Sequence, residues 1–198
     1  MSEEELKTET SEEVEEKKPK DKKSVLKEVR DYVLLLVLAF AIAFAFNRFV
    51  IANAEVPSGS MENAVMPGDR LLVNRLAYVF GDPKRGDIVM FKFPDDETQD
   101  YLKRIIGLPG ETVTIKNGLV YINDSDTPLS EPYIKDPPEG DYGPFEVPED
   151  CYFMLGDNRN ISQDARFWEN KFVKRNKLVG KAFFRYFPSF GTLKSATY

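Results

Sequence analysis

Two serines in one short turn, Ser58 and Ser60, are the first candidates for chemistry in this sequence. The segment 56–61 reads VPSGSM and follows the only long apolar run of the chain. Pro57 fixes one backbone angle and Gly59 permits left-handed backbone, so a tight turn could project a serine hydroxyl. An ordinary exposed loop has the same composition, and the turn alone therefore does not distinguish a nucleophile from a linker.

The amino-acid composition restricts how such a serine could be activated. The 198 residues contain no histidine and one cysteine, Cys151. This excludes Ser-His-Asp and Cys-His mechanisms, histidine-ligated metals, Cys-rich zinc sites and a disulfide within the chain. We expect no cofactor and no metal, and a hydrolase acting near neutral pH would need a carboxylate or a lysine of lowered pKa as its base. The formal net charge of −6 offers no general basic face for nucleic acid.

Lys103 is the candidate base, because the segment 100–106, DYLKRII, is typical of a β-strand. In a strand Lys103 shares one face with Tyr101 and Ile105, which would remove its amine from water. Desolvation disfavours the charged form and lowers the pKa of a lysine, so a neutral amine could accept a serine proton. The alternative is a surface lysine at a sheet edge, which is the commoner case for a single lysine.

A third polar cluster lies at residues 156–166, GDNRNISQDAR. Its glycine and asparagines favour turns, and its acids, arginines and serine could form a network of hydrogen bonds and ion pairs. A solvated loop is the alternative. The alternation of carboxylates and guanidinium groups favours a rigid scaffold that holds another strand.

The candidate residues follow a segment that could cross a membrane. Residues 32–54 are almost entirely apolar and would span about 34 Å as a helix. Lysines and arginines crowd the preceding residues 17–30, which predicts a cytoplasmic N-terminus. We therefore expect a disordered cytoplasmic tail at 1–29, a transmembrane helix at 30–54 and an extracytoplasmic catalytic domain at 55–198. A cleaved signal peptide is the alternative, with 52–54, ANA, as its cleavage site.

The outer domain is predicted to be mainly β. Short apolar runs bounded by turn residues indicate strands at 69–75, 86–94, 101–106, 112–115, 119–122, 151–155 and 178–187. Asn117-Gly118 is a strong hairpin signal between two of them. Residues 123–150, rich in Pro, Asp and Glu, are interpreted as a surface excursion.

Taken together, four motifs resemble those of bacterial type I signal peptidases, in the same order and spacing across residues 30–187. They are Pro57-Ser58-Gly59-Ser60-Met61, Arg85-Gly86-Asp87-Ile88-Val89, Tyr101-Leu102-Lys103-Arg104 with Gly107-Leu108-Pro109-Gly110, and Gly156-Asp157-Asn158-Arg159 with Ser162, Asp164 and Arg166. The length is similar to that of the smaller, Gram-positive-type members. The resemblance implies one transmembrane helix followed by an antiparallel β-sheet catalytic domain.

The resemblance also implies a role for each matching residue. Ser60 would be the nucleophile and Lys103 the general base, and the Ser58 hydroxyl would help the Ser60 amide to bind the oxyanion. Supporting contacts would come from Ser162 on the Lys103 amine, from an Asp164–Arg166 pair and from an Asp157–Arg104 pair. Val56, Met61, Tyr101 and Leu102 match positions that line shallow substrate pockets. Departures from the common pattern lie at Glu62-Asn63-Ala64-Val65, Asn160 and Ala165, none of them a catalytic position.

The implied function is that of a membrane-bound serine endopeptidase in the cell membrane that removes signal peptides after a small-x-small site. Its expected partners are exported preproteins and the lipid bilayer, with transient proximity to the secretion translocon and no nucleic acid, and a monomer is expected. A soluble self-cleaving repressor protease is disfavoured by the apolar anchor. A silent, membrane-tethered binding module is the other alternative, and it would lack reaction with serine-acylating inhibitors.

Overall fold

A computed structural model of the chain describes residues 22–196. The chain divides into two compact units, Met1–Ala43 and Phe44–Tyr198. The described part of the first unit, 22–43, is entirely helical. The second unit contains the last turns of the same helix and every strand found among residues 22–196.

Helix α1 runs from Lys22 to Phe49. Within it, Val25–Phe49 is long and apolar enough to cross a membrane, with 25 residues and a mean hydropathy of 2.1. The helix differs from the predicted range 30–54 at both ends. It begins within the segment expected to be disordered, while the rest of that segment, 1–21, lies outside the described residues.

The helix ends five residues before the predicted boundary at Ala54 because the chain there joins a sheet. Residues Ile51–Glu55 form strand β1, which pairs antiparallel with strand β2, Arg70–Asn74. Asn47 and Arg48 occupy the last turn of the helix. The apolar run therefore serves two elements, which hydropathy alone does not separate.

The second unit is built from two antiparallel sheets. Besides β1 and β2, the strands are β3 (Ile88–Phe93), β4 (Asp96–Gly107), β5 (Thr112–Lys116), β6 (Leu119–Ile122), β7 (Tyr142–Glu146), β8 (Cys151–Leu155), β9 (Phe172–Lys174), β10 (Leu178–Phe187) and β11 (Gly191–Thr192). The larger sheet has the order β1-β2-β10-β3-β4-β8-β9, with β11 beside β10, and the smaller has the order β6-β5-β7. Short 3₁₀ turns occupy Gly59–Met61 and Arg175–Lys177. The predicted fold class, one N-terminal helix and a mainly antiparallel β domain, is confirmed.

Strand β4 is the element that positions the candidate base. Its residues up to Lys103 pair only with β3, Arg104 pairs with both β3 and β8, and the residues after it pair with β8. The backbone of Lys103 therefore lies where the strand passes from an open edge into the buried centre of the sheet. The side chains that follow it on β4 are buried, including Ile105 and Ile106.

The predicted surface excursion at 123–150 contains more structure than its composition predicts. Tyr142–Glu146 pairs with β5 as an outer strand of the smaller sheet. Pro144 within it cannot donate a backbone hydrogen bond, which is tolerated at a sheet edge. The same proline and the flanking acids hide the strand from a search for apolar alternation.

Candidate active site

The serine turn is fixed at both sides of Ser60. The buried side chains of Val56 and Met61 anchor it in a small apolar core that includes Leu71 and Val73. The backbone N–H of Val56 donates to the Asp69 carbonyl, and a 3₁₀ turn carries Ser60 at its centre. Because Val56 and Met61 are buried on either side, Ser60 stays in place while its side chain remains partly exposed.

Gly59 lies close to a neighbouring side chain, which the sequence does not reveal. It is not among the glycines of positive φ, so the predicted left-handed backbone is wrong. A Cβ at this position would lie 2.4 Å from Oε1 of Glu62. The glycine therefore makes room for a neighbouring carboxylate.

Lys103 reaches Ser60 from across the cleft. Its Nζ lies 2.7 Å from the Ser60 Oγ and 3.3 Å from the Leu102 carbonyl oxygen. The side chain is buried, and Nζ lies 5.6 Å from the centre of the Tyr101 ring. Burial lowers the pKa of the Lys103 amine to about 8, against smaller opposing effects of Asp164 and Asp157.

This arrangement suits proton transfer from a hydroxyl to a neutral amine. A base needs hydrogen-bonding distance to the proton that it takes and a pKa near the working pH, and Lys103 meets both requirements. The second serine of the turn, Ser58, has its Oγ 3.3 Å from the Ser60 Oγ. It can contribute a hydroxyl beside the nucleophile.

The predicted Arg104–Asp157 pair is present and buried. Arg104 donates from Nε and Nη2 to the two carboxylate oxygens of Asp157, at 2.8 and 2.6 Å, and from Nη1 to the Gly86 carbonyl. Burial raises the pKa of the Asp157 carboxyl, and the guanidinium of Arg104 opposes that rise. This pair joins β4 to the 156–166 loop immediately beside Lys103.

The Asp164–Arg166 pair is also present, and it organises the same loop. The Asp164 carboxylate accepts hydrogen bonds from the Arg166 side chain at 2.8 and 2.9 Å and from the backbone N–H of Gly156 at 3.1 Å. Arg166 in turn donates to the Arg159 carbonyl. Both ends of the loop are therefore tied together.

Ser162 is buried in this loop, but its hydroxyl does not reach the lysine. Its backbone N–H donates to the Asn158 carbonyl at 3.0 Å. Within the described residues its Oγ has no hydrogen-bond partner, so the predicted Ser162–Lys103 contact is not formed. A Cβ on Gly156 would lie 2.2 Å from the Ser162 Oγ and 2.5 Å from the Ser60 carbonyl oxygen, so Ser162 and the nucleophile turn both pack against the same face of Gly156.

A cleft of about 570 Å³ opens over Ser60 and Lys103. The four predicted substrate-binding residues Val56, Met61, Tyr101 and Leu102 all line it, together with Ser58, Ser60 and Lys103. Sequence reasoning missed further lining residues: Asn53, Ala54, Glu55, Met90, Gln99, Asp100, Ile161 and Gln163. Their only available signal is adjacency to a motif, as for Asn53–Glu55 beside the turn. Among residues 22–196 no group of side chains could hold a metal ion.

Sequence comparison identifies the protein family. The profile described as "Signal peptidase, peptidase S26" matches residues 29–187. The chain belongs to the signal peptidase family, peptidase S26. As a signal peptidase I it is a serine endopeptidase that removes signal peptides from secreted preproteins, and the resemblance drawn from the motifs is confirmed.

Relatives of this signal peptidase match over most of their length. A probable signal peptidase I-2 of Synechocystis sp. is 43% identical over 159 residues, covering 77% of this chain and 71% of the relative. A signal peptidase I of Bacillus amyloliquefaciens is 37% identical over 182 residues, covering 87% of this chain and 95% of the relative. A crystal structure of a signal peptidase I from Enterococcus faecalis V583 is 36% identical, with a TM-score of 0.41, and covers 51% of this chain and 97% of that chain.

Proposed function

We propose that Ser60 is the nucleophile of this signal peptidase and that Lys103 is its general base. The observation that carries the proposal is the 2.7 Å separation of Lys103 Nζ and Ser60 Oγ, with the amine buried and its pKa lowered to about 8. A substantial neutral fraction of Lys103 is then available at mildly alkaline pH. The same geometry disfavours the silent tethered module, which has no use for a lysine of lowered pKa.

In the proposed first step, the Ser60 hydroxyl proton passes to Lys103 Nζ as Ser60 Oγ bonds to the carbonyl carbon of the scissile peptide. The resulting oxyanion is held by the Ser60 amide and the Ser58 hydroxyl. Preorganised donors of this kind lower barriers by about 2.7–4 kcal/mol each. The peptide C–N bond then breaks, and the protonated Lys103 gives its proton to the leaving amine.

The second step releases the acyl group. Lys103, neutral again, takes a proton from a water molecule, whose oxygen attacks the ester carbon. The Ser60 Oγ leaves and recovers its proton from Lys103, and the signal peptide departs with a new carboxyl terminus. We propose that the supporting residues Ser162, Asp164, Arg166, Asp157 and Arg104 keep the dyad in place during both steps.

The cleft suits an extended peptide with small side chains near the cleaved bond. Its lining near Ser60 combines the buried side chains of Val56 and Met61 with Tyr101 and Leu102 from β4. We propose cleavage after a small-x-small sequence on this basis. A charged side chain placed against this apolar part of the lining would lose hydration without gaining a partner.

We propose that α1 anchors the enzyme in the cell membrane as a single uncleaved span, with the residues before Val25 in the cytoplasm and the β domain that begins at Ile51 outside it. The support is the apolar span Val25–Phe49 and the basic residues before it. Confinement to the bilayer that also holds the signal peptide raises the effective concentration of substrate. The proposed environment is therefore the bilayer, with transient proximity to the translocon, and the proposed form is a monomer.

The test uses purified full-length protein and a preprotein with an Ala-x-Ala site, in mixed detergent and lipid. We expect cleavage after the second Ala by the wild type and none by Ser60→Ala or Lys103→Ala. Folding of each variant is checked by its thermal unfolding midpoint. Cleavage by a folded Lys103→Ala protein at the wild-type rate would remove Lys103 from the mechanism.

A further inference from the structure

The excursion between β6 and β7 contains a segment that is fixed to the active-site scaffold. This brace segment, residues 131–135, begins with Glu131, whose carboxylate accepts hydrogen bonds from the buried side chain of Arg159 at 3.0 and 2.5 Å. The ring of Tyr133 lies 4.0 Å from the guanidinium carbon of Arg104. The segment therefore contacts Arg159 of the 156–166 loop and Arg104, the neighbour of Lys103, although its composition predicts only a surface excursion.

The end of the brace segment meets the nucleophile turn at Glu62. Lys135 Nζ donates to Glu62 Oε2 at 2.8 Å, and its backbone N–H donates to the Asp157 carbonyl at 3.3 Å. Asn158 Nδ2 donates to the same Glu62 oxygen at 3.1 Å. The other oxygen, Oε1, covers Gly59, as the space a Cβ would need there indicates. One carboxylate thus contacts the turn, the 156–166 loop and the brace segment.

A chain of contacts through the 156–166 loop connects the two proposed catalytic residues. Ser60 and Lys103 are 43 residues apart in the sequence, so their separation depends on non-covalent links. From Lys103 the path runs through the neighbouring Arg104 to Asp157 and then to Asn158, whose N–H donates to the Ser60 carbonyl at 3.1 Å. Glu62 provides a second attachment of the same turn to the same loop.

We propose that Glu62 and Lys135 are positioning residues that hold the Ser60 hydroxyl at hydrogen-bonding distance from Lys103. The inference rests on the proposed roles of Ser60 and Lys103. The buried side chains of Val56 and Met61 hold the two sides of the turn, and the backbone hydrogen bond from Asn158 joins it to the 156–166 loop. The bond from the Asn158 side chain to Glu62 adds a second attachment between the turn and that loop. A displacement of about 1 Å in such a site can cost about 100-fold in rate.

The two residues should differ in importance because their surroundings differ. The side chain of Lys135 is 48% exposed and that of Glu62 is 23% exposed, so water screens the ion pair between them. Asn158 is buried, and removal of Glu62 would leave its amide group without this acceptor. We therefore expect loss of Glu62 to have the larger effect.

The test measures cleavage kinetics and single-turnover acylation of Ser60 in the full-length enzyme. We expect Glu62→Ala to lower kcat about 10-fold or more, because a buried amide loses a charged acceptor. Glu62→Gln keeps an acceptor for Asn158, and Lys135→Met removes only the screened ion pair. Each should lower kcat by about 2- to 5-fold. KM should stay at the wild-type value in all of them, since neither residue lines the cleft.

A double variant separates coupling from unrelated damage. Glu62→Gln with Lys135→Met should lower kcat no further than either change alone, because both remove the same ion pair. The matched control is Lys177→Met, which removes an ion pair of similar exposure (34% and 53%) with Glu97 at the start of β4. Neither residue lines the cleft, so this variant should leave kcat unchanged.

Three results would overturn the inference: wild-type acylation in Glu62→Ala, additive losses in the double variant, or a loss seen only as a raised KM. If Glu62→Ala does not fold, Lys135→Met alone decides, because its half-exposed side chain leaves no cavity. Failure of the proposed function has a different signature, namely cleavage by folded Ser60→Ala. An inactive Ser60→Ala beside a fully active Lys135→Met would reject the positioning role alone.

Discussion

Lys103 and Arg104 are neighbours on β4 and both are buried, but only Arg104 has a carboxylate partner for its charge. Arg104 has two hydrogen bonds to the Asp157 carboxylate and one to the Gly86 carbonyl. The amine of Lys103 contacts the Ser60 hydroxyl and the Leu102 carbonyl oxygen. Within the described residues no carboxylate lies at ion-pair distance from this amine. The pKa of Lys103 consequently falls to about 8.

The strand geometry makes this division possible. Successive side chains on a strand point to opposite faces, so one directs its amine towards Ser60 and the next directs its guanidinium towards the 156–166 loop. The unpaired cation carries the proposed chemistry, and the paired cation fixes its position. The difference indicates that the site separates a group tuned to lose its proton from groups that must keep their charge.

The largest expected effect comes from removing the tuned group. Lys103→Arg should be as inactive as Lys103→Met, with losses of about 100- to 10,000-fold in cleavage rate, because a guanidinium does not deprotonate in proteins. The measurement is product formation by folded variants under single-turnover conditions. Appreciable activity in Lys103→Arg would mean that charge, and not proton transfer, is what this position supplies.

Removing the carboxylate partner of Arg104 should destabilise the fold. Asp157→Ala leaves the buried Arg104 without its carboxylate, and removal of one partner of a buried ion pair costs about 3–5 kcal/mol. Denaturant unfolding of the catalytic domain, followed by tryptophan fluorescence of Trp168, gives the free energy. The double change Arg104→Met with Asp157→Leu should recover much of the loss. A single variant with wild-type stability would contradict the distinction between the two cations.

Removing the amine of Lys103 should instead raise the free energy of unfolding. The folded pKa of Lys103 lies below its unfolded value of 10.5, so the unfolded state binds the extra proton between pH 8 and 10.5. Burial of the charged amine therefore costs stability below pH 8. A depression of this size corresponds to about 3 kcal/mol, so Lys103→Met should be more stable at pH 7 by up to that amount. The advantage should shrink as the pH rises to 10.5; an advantage that grows with pH would contradict this account.

The smallest expected effect concerns Ser162. Its buried hydroxyl has no partner among the described residues, and an unsatisfied buried polar group is a cost. Ser162→Ala should raise the free energy of unfolding by about 1 kcal/mol. If Ser162 also orients Lys103 during catalysis, kcat falls in the same variant. Lower stability in Ser162→Ala, measured by the same unfolding experiment, would show that its hydroxyl is paired in the folded protein.

The sequence supports prediction of those features that depend on local pattern. Alternation along β4 placed Lys103 beside Tyr101, and the absence of histidine left a lysine or a carboxylate as the base. The ion pairs of Asp157 and Asp164 came from the family resemblance, since local pattern gave only a probable network. The burial of Lys103–Gly107 on both faces of β4 depends on packing against distant parts of the chain, which no local pattern contains.

The features that were missed depend on contacts between distant segments. The helix boundary at Phe49 is set by pairing of β1 with β2, and the space at Gly59 is set by the Glu62 side chain. The link from Lys135 to Glu62 joins residues 73 apart in the sequence. None of these residues belongs to a sequence motif that indicates its contacts, so only the folded arrangement reveals its role.

The most direct test of the central claim is the pH dependence of Ser60 acylation in the wild-type enzyme. With Lys103 as a base of pKa about 8, the single-turnover rate should rise with pH to a plateau, with its midpoint near that value. A rate that continues to rise towards pH 10, or that does not change between pH 6 and 10, would show that deprotonation of Lys103 does not control the reaction.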